Sequence, residues 1–232
     1  MPTFIQTENA AQSAEKLALA VAQNLRDTLE KQAHATLAVS GGKSPIAFFQ
    51  ALNQQDLDWA RVQIALVDER VVPTSHADSN TGLVRQHLLQ NQASAAKYLP
   101  MIADHADEGS LKNINQAIEF ALQNYVQPDV LVLGMGADGH TASIFPQAPQ
   151  FDDAIRADYP QTLIHTTPVT APHERISMTL AAIEATPFVY LAIAGAEKKA
   201  VYEQALLKKS QEYPISYVLN SEKVNANVFY NN

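Results

Sequence analysis

The sequence predicts an α/β domain: a largely parallel sheet with helices on both faces. Two patterns predict it. Short runs such as ATLAV, VQIALV and DVLVLG are apolar throughout rather than alternating, as expected of strands buried on both faces. These runs alternate with longer segments whose apolar residues recur at helical spacing. A third pattern places function on that fold. The polar loops SGGKS, DERVVP and GMGADGHTAS each follow one of the apolar runs. In open α/β sheets the ligand lies outside the carboxyl ends of the strands, so the three loops are expected to line one crevice.

The elements are read in chain order. Residues 13–32 have helical spacing behind Ser13 as N-cap. Residues 35–40 form a buried strand, followed by GGKS and a helix opening at Pro45, since proline favours the first helical position. A second strand covers 62–67. Helices are expected over 79–90, with Ser79 or Asn80 as cap, and over 111–125. Strands follow at 129–134 and 161–166, then a helix over 176–185, a strand over 188–195, a helix over 196–207 and a last strand over 215–219. No Pro/Gly/Ser-rich linker and no repeat interrupts the chain, so residues 1–232 are expected to form one domain.

Composition excludes several classes of function. There is no cysteine, which rules out disulfides, a thiol nucleophile and cysteine-based metal sites. The formal net charge of −8 disfavours a nucleic-acid partner. MPTFIQTENA lacks the basic and apolar regions of a secretory signal, and the longest apolar stretch, near 188–196, is about half of the ~18 residues that suggest a membrane span. A cytoplasmic protein with no membrane partner is expected, as a monomer or at most a dimer. An anionic ligand would then need a local cluster of cations. Lys43, Arg70 and Arg175 stand out because each lies in or beside a loop, whereas Lys16, Arg26, Lys31 and Lys112 fall on helical faces.

Four motifs have chemical content. Ser40-Gly41-Gly42-Lys43 leads from a strand into a helix, where glycine backbone and helical N–H groups favour an anion; the alternative is an ordinary tight turn. It is not a P-loop, because the required first glycine would fall at Leu37. Asp68-Glu69-Arg70 sets two carboxylates and a guanidinium past a strand, as a surface ion pair or as a ligand grip. Gly134 to Thr141 matches G-x-G-x-x-G, but Pro146 and Pro149 leave little room for a dinucleotide-binding helix. Within it, Asp138 and His140 pair a carboxylate with an imidazole suited to taking a proton from water. No HExxH or Cys/His ligand spacing occurs, so neither a metal nor another cofactor is expected. Arg175, before the 176–185 helix, and Lys198, in the turn after 188–195, are further candidate phosphate ligands, or else capping and ion-pair residues.

Taken together, SGGKSP, VDERVVP, DSN followed by Arg85, GMGADGHTASIFP, PHERISMT and GAEK resemble the 6-phosphogluconolactonase family, in that family's order, over residues 40–198. The glycine–histidine block is the specific part. The resemblance implies a three-layer α/β domain of modified Rossmann topology without a nucleotide. It also implies hydrolysis of a phosphorylated sugar lactone, 6-phosphoglucono-1,5-lactone, in the oxidative pentose phosphate pathway. His140 would then be the base, oriented by Asp138 or Asp68, with Ser40, Gly41, Gly42, Lys43, Arg70, Arg175 and Lys198 holding the phosphate. The related glucosamine-6-phosphate deaminases resemble a pattern with glutamate seven positions after the aspartate; here that position is Phe145. A deaminase, or a sugar-phosphate-binding module without catalysis, is the alternative. The ending VFYNN departs from the lactonase family's Trp-containing C-terminus and bears on local packing.

Overall fold

The computed structural model describes residues 2–232. A seven-stranded sheet runs in the order β1 (Thr3–Thr7), β10 (Ala226–Asn231), β9 (Phe188–Ala194), β6 (Val130–Gly134), β2 (Ala35–Val39), β3 (Val62–Leu66) and β5 (Lys97–Tyr98). Every neighbouring pair is parallel. β2 is buried at all five positions and β6 at its first four, so the centre of the sheet is covered on both faces. This is the α/β class the apolar runs predict.

Helix α1 (Ala10–Leu29) lies against β2, β6 and β10 and buries Leu17, Val21 and Leu25 on one stripe. Burial of each such side chain contributes roughly 1.5–3 kcal/mol. The helix begins earlier than expected: Asn9, not Ser13, is its cap, accepting from the Gln12 N–H at 3.0 Å. Helices α2 (Ile46–Leu52), α3 (Asn80–His87) and α4 (Ile114–Asn124) fall inside the expected segments. Ser79 caps α3, its Oγ accepting from the Gly82 N–H at 3.2 Å. A short helix α5 (Phe151–Ile155) follows the glycine–histidine loop.

Two expected elements change type. The 176–185 segment is not one helix: Arg175–Met178 is a strand, β8, and only α6 (Leu180–Glu184) is helical, capped by Thr179. The reason is tertiary. β8 pairs antiparallel with β7 (Leu163–Thr166) on one side and with β4 (Asp68–Arg70) on the other, in a separate three-stranded sheet. Residues 68–70, expected as a loop, are therefore a strand, and the expected strand at 161–166 belongs to this small sheet. The second is 215–219, which forms helix α8 (Ile215–Leu219) behind Pro214. Its buried Ile215, Val218 and Leu219 fall at helical spacing, and a five-residue apolar run does not separate the two readings. Helix α7 (Ala196–Ala205) follows β9 as expected.

The topology fixes where a ligand can sit. From β2 the chain runs outward to β3 and β5, then returns to β6 on the other side of β2 and continues to β9 and β10. The direction of winding thus reverses between β2 and β6, the position at which open α/β sheets leave a crevice.

Candidate active site

The loops leaving β2 and β6 open onto a cavity of about 590 Å³. Ser40 ties the two loops together: its N–H donates to the Val132 carbonyl at 3.0 Å, and its Oγ accepts from the Gly134 N–H at 3.1 Å. Gly42 lies at φ +84°, in the left-handed region that glycine tolerates. Gly41 leaves space for a side chain from another element, since a Cβ there would fall 1.9 Å from Asn80 Oδ1. Ser40, Gly41 and Gly42 line the cavity, whereas Lys43 does not.

Past β6 the chain folds back on itself. The Gly136 N–H donates to the His140 carbonyl at 2.9 Å, and Thr141 Oγ1 donates to the Gly134 carbonyl at 2.8 Å. This presents His140 to the cavity. Its Nδ1 lies 2.5 Å from Asp138 Oδ1, which also accepts from the His140 N–H at 3.2 Å. Phe145 stacks on the imidazole with ring centroids 4.2 Å apart. The arrangement depends on Gly136, where a Cβ would sit 2.2 Å from His140 Nδ1 and 2.5 Å from Asp138 Oδ1. A carboxylate at Nδ1 keeps the proton on that nitrogen and leaves Nε2 with a free lone pair. Burial pushes the Asp138 carboxyl up, but its hydrogen bond to His140 and the imidazole charge outweigh this and hold it below its ordinary value.

The structure thereby separates the two carboxylates considered for orienting His140. Asp138 lies outside the cavity lining and backs the imidazole. Asp68 lines the cavity but is bonded elsewhere: its Oδ2 accepts from Ser143 Oγ at 2.6 Å, and its carbonyl from Asn80 Nδ2 at 2.9 Å. Glu69 is fully buried and accepts from the Asn80 and Thr81 N–H groups at 2.8 and 2.7 Å, fixing the start of α3. Burial raises its pKa, and those hydrogen bonds oppose the rise.

The two arginines belong to strands rather than loops. The β4–β8 register sets Arg70 directly opposite Arg175, and both line the cavity. Like charges placed so repel. Arg70 Nη1 donates to the Asp78 carbonyl and Arg175 Nη2 to the Pro172 carbonyl at 2.9 Å, yet each Nε is buried without a partner. Burial lowers the Arg175 pKa, opposed by the charge of Asp68. Two opposed guanidiniums bordering one cavity suit a polyvalent anion. Lys198, in the first turn of α7, lines the same cavity.

A model of the glucosamine-6-phosphate isomerases and 6-phosphogluconolactonase matches residues 8–228 of this chain. The chain belongs to that family. It is similar to the 6-phosphogluconolactonase of Neisseria meningitidis, 60% identical over 223 residues and 96% of each chain, and to that of Pseudomonas aeruginosa, 43% identical over 85% of this chain and 82% of the relative. A solved 6-phosphogluconolactonase from Shewanella baltica superposes with a TM-score of 0.88 at 36% identity, covering 100% of this chain and 98% of the other. A monomeric glucosamine-6-phosphate deaminase superposes at 0.75 with 14% identity, a likeness of fold alone.

Within this family frame, the residues least visible in the sequence are those that support the site. Asn80, read only as a possible helix cap, lines the cavity, fills the space over Gly41 and bonds the Asp68 backbone. Ser143 holds the Asp68 carboxylate. No local pattern marks these roles, because each partner lies on a different element. Phe145, whose position separates the two family patterns, places an aromatic ring rather than a carboxylate against His140.

Proposed function

We propose that the protein hydrolyses 6-phospho-D-glucono-1,5-lactone to 6-phosphogluconate. The observation that supports this reading best is one cavity bordered by an Asp138-backed imidazole and by two opposed guanidiniums. Arg70 and Arg175 grip the phosphate, helped by the glycine backbone at Gly41 and Gly42 and by Lys198. Lys43, outside the lining, adds at most longer-range charge. So anchored, the lactone presents its C1 carbonyl to His140; fixed geometry of this kind supplies several kcal/mol of the barrier. His140 Nε2 takes a proton from water as the water oxygen bonds to C1. The tetrahedral intermediate then expels the ring oxygen, which receives that proton from the imidazolium. Asp138 stabilises the imidazolium throughout, as an orienting carboxylate does. A lactone is an activated ester, so this reading needs no metal and no covalent intermediate. Asp68, held by Ser143, orients a substrate hydroxyl rather than the base.

The test is hydrolysis of freshly prepared phosphogluconolactone with EDTA present, measured above the spontaneous rate and against unphosphorylated gluconolactone. The phosphorylated lactone should be turned over far faster. Equal rates for both lactones, or loss of turnover in EDTA, would sink the proposal. A cytoplasmic location belongs to the same reading. No helix among the described residues is long and apolar enough to cross a membrane.

A further inference from the structure

One cluster at the edge of this cavity has no part in the proposed reaction. His76, Asp78 and His173 bring one potential ligand atom each to within 4.8 Å of one another. His173 Nε2 lies 2.9 Å from Asp78 Oδ2 and His76 Nδ1 lies 3.9 Å from the same oxygen, with the two imidazoles edge to face at 5.3 Å. The residues come from two segments 95 positions apart. His173 adopts φ +69°, a left-handed conformation uncommon for a residue with a full side chain. A backbone outlier that aims an imidazole at a carboxylate invites a functional explanation.

We propose that His76, Asp78 and His173 form a binding site for a borderline divalent cation, zinc foremost, at the rim of the cavity. The donor set selects the class: two imidazoles with one carboxylate suit zinc, nickel or copper, whereas magnesium and calcium require oxygen ligands. The spacing fits as well. Ligands about 2.0–2.1 Å from a tetrahedral zinc lie roughly 3.3 Å apart; the two histidine–Asp78 separations fall on either side of that, and the two imidazole atoms lie within 4.8 Å of each other. Small side-chain rotations close the triangle. His76 Nδ1 also accepts from the Asp78 N–H at 3.0 Å, and binding through that atom exchanges this hydrogen bond for a metal bond. Three protein ligands leave a fourth position for water or an anion oxygen.

The site is wired to the arginines. Arg70 donates to the carbonyl of Asp78, a ligand, and Arg175 to the carbonyl of Pro172, beside another ligand. Asp78 and His173 themselves line the cavity. A dication there adds positive charge near both guanidiniums and strengthens the hold on an anionic substrate. This coupling, unlike the site itself, rests on the proposed function.

The test starts with zinc alone, titrated into the whole protein against a zinc-sensing chelator. One equivalent should bind to the wild type. His76→Ala and His173→Asn should each weaken binding at least tenfold, asparagine being chosen because it tolerates the left-handed backbone. His34→Ala, an exposed histidine elsewhere, should bind as the wild type does. No stoichiometric uptake, or equal affinity in all four proteins, would overturn the site. For the coupling, zinc should lower the KM for the lactone in the wild type, leave kcat unchanged, and have no effect in His76→Ala. An unchanged KM with zinc bound would overturn the coupling and leave the site standing. Failure of the lactonase reading would appear instead as no turnover in either protein, with zinc uptake intact.

Discussion

The cavity has two unlike walls. On one side the parallel sheet ends in glycine-rich loops that hold His140 through neighbours within six positions of it, Gly134, Gly136, Asp138 and Phe145. On the other side a three-stranded antiparallel sheet holds Arg70 and Arg175, residues more than a hundred positions apart. The first wall is a local device in which one turn fixes an imidazole. The second is assembled only by tertiary pairing, and it concentrates positive charge at a cost, with two guanidiniums opposed and their Nε groups unpartnered. Chemistry and grip should therefore separate cleanly under mutation.

His140→Ala is the strongest test of that separation. General-base catalysis contributes about 10²–10⁴-fold, so kcat should fall by about 10³-fold while KM changes little. A comparable rise in KM would merge the two walls into one function. Gly136→Ala should come next. Its Cβ would meet the His140 ring and the Asp138 carboxylate at 2.2–2.5 Å, so the pair must move. We expect kcat to drop about 10²-fold, since small misplacements of a catalytic group cost that much, with little change in thermal stability. Unchanged turnover would mean that the imidazole–carboxylate geometry is dispensable.

The second wall predicts the opposite signature. Arg175→Met removes one partner from the proposed phosphate grip, worth about 1.5–3 kcal/mol for a hydrogen bond to a charged group, or roughly 10–100-fold in KM at nearly constant kcat. It also removes a like-charge contact and a buried orphan donor. Thermal stability should therefore hold or rise, which a calorimetric scan of the free protein will measure. A fall in kcat with KM unchanged would assign Arg175 to the chemical step.

The same contrast explains what could be read in the sequence. The inner parallel strands β2, β3, β6 and β9 were legible because burial in the sheet forces continuous apolar runs, and the His140 loop was legible because its partners are sequence neighbours. The small sheet was not. β4 is three charged residues, Asp68 to Arg70, with no apolar run to mark it. β8, RISM, runs directly into the helix that Thr179 caps, so the two merged into one expected helix. Strands β1 and β10 at the chain ends were likewise unmarked; their register with each other and with β9 exists only in the folded molecule. VFYNN, the departure from the family's ending, falls in β10 up to Asn231, and there Tyr230 is buried and stacks on Phe4. Which carboxylate lies beside His140 is also open in the sequence, because Asp68 and Asp138 both stand in loops or turns after strands there; only the folded chain brings Asp138 to its Nδ1.

That choice makes the smallest and most discriminating prediction. Asp138→Asn keeps the shape and removes the charge behind Nδ1. Asp138 is partly exposed, so solvent screens the pair, and kcat should fall by only about tenfold, far less than for a fully buried orienting carboxylate. The pH dependence gives the sign. In the folded state His140 holds the Asp138 carboxyl below its ordinary value of 3.8. A depressed folded pKa means that the native state binds fewer protons than the unfolded one around that pH, so the pair's contribution to stability is complete above the unfolded value and disappears as pH falls through the folded one. Wild type should thus exceed Asp138→Asn in thermal stability at pH 6, and the margin should close below pH 4. Asp68→Asn should instead raise KM at nearly constant kcat, because its carboxylate is bonded to Ser143 and not to the base. If Asp68→Asn lowers kcat and Asp138→Asn does not, the two carboxylates have been assigned to the wrong walls.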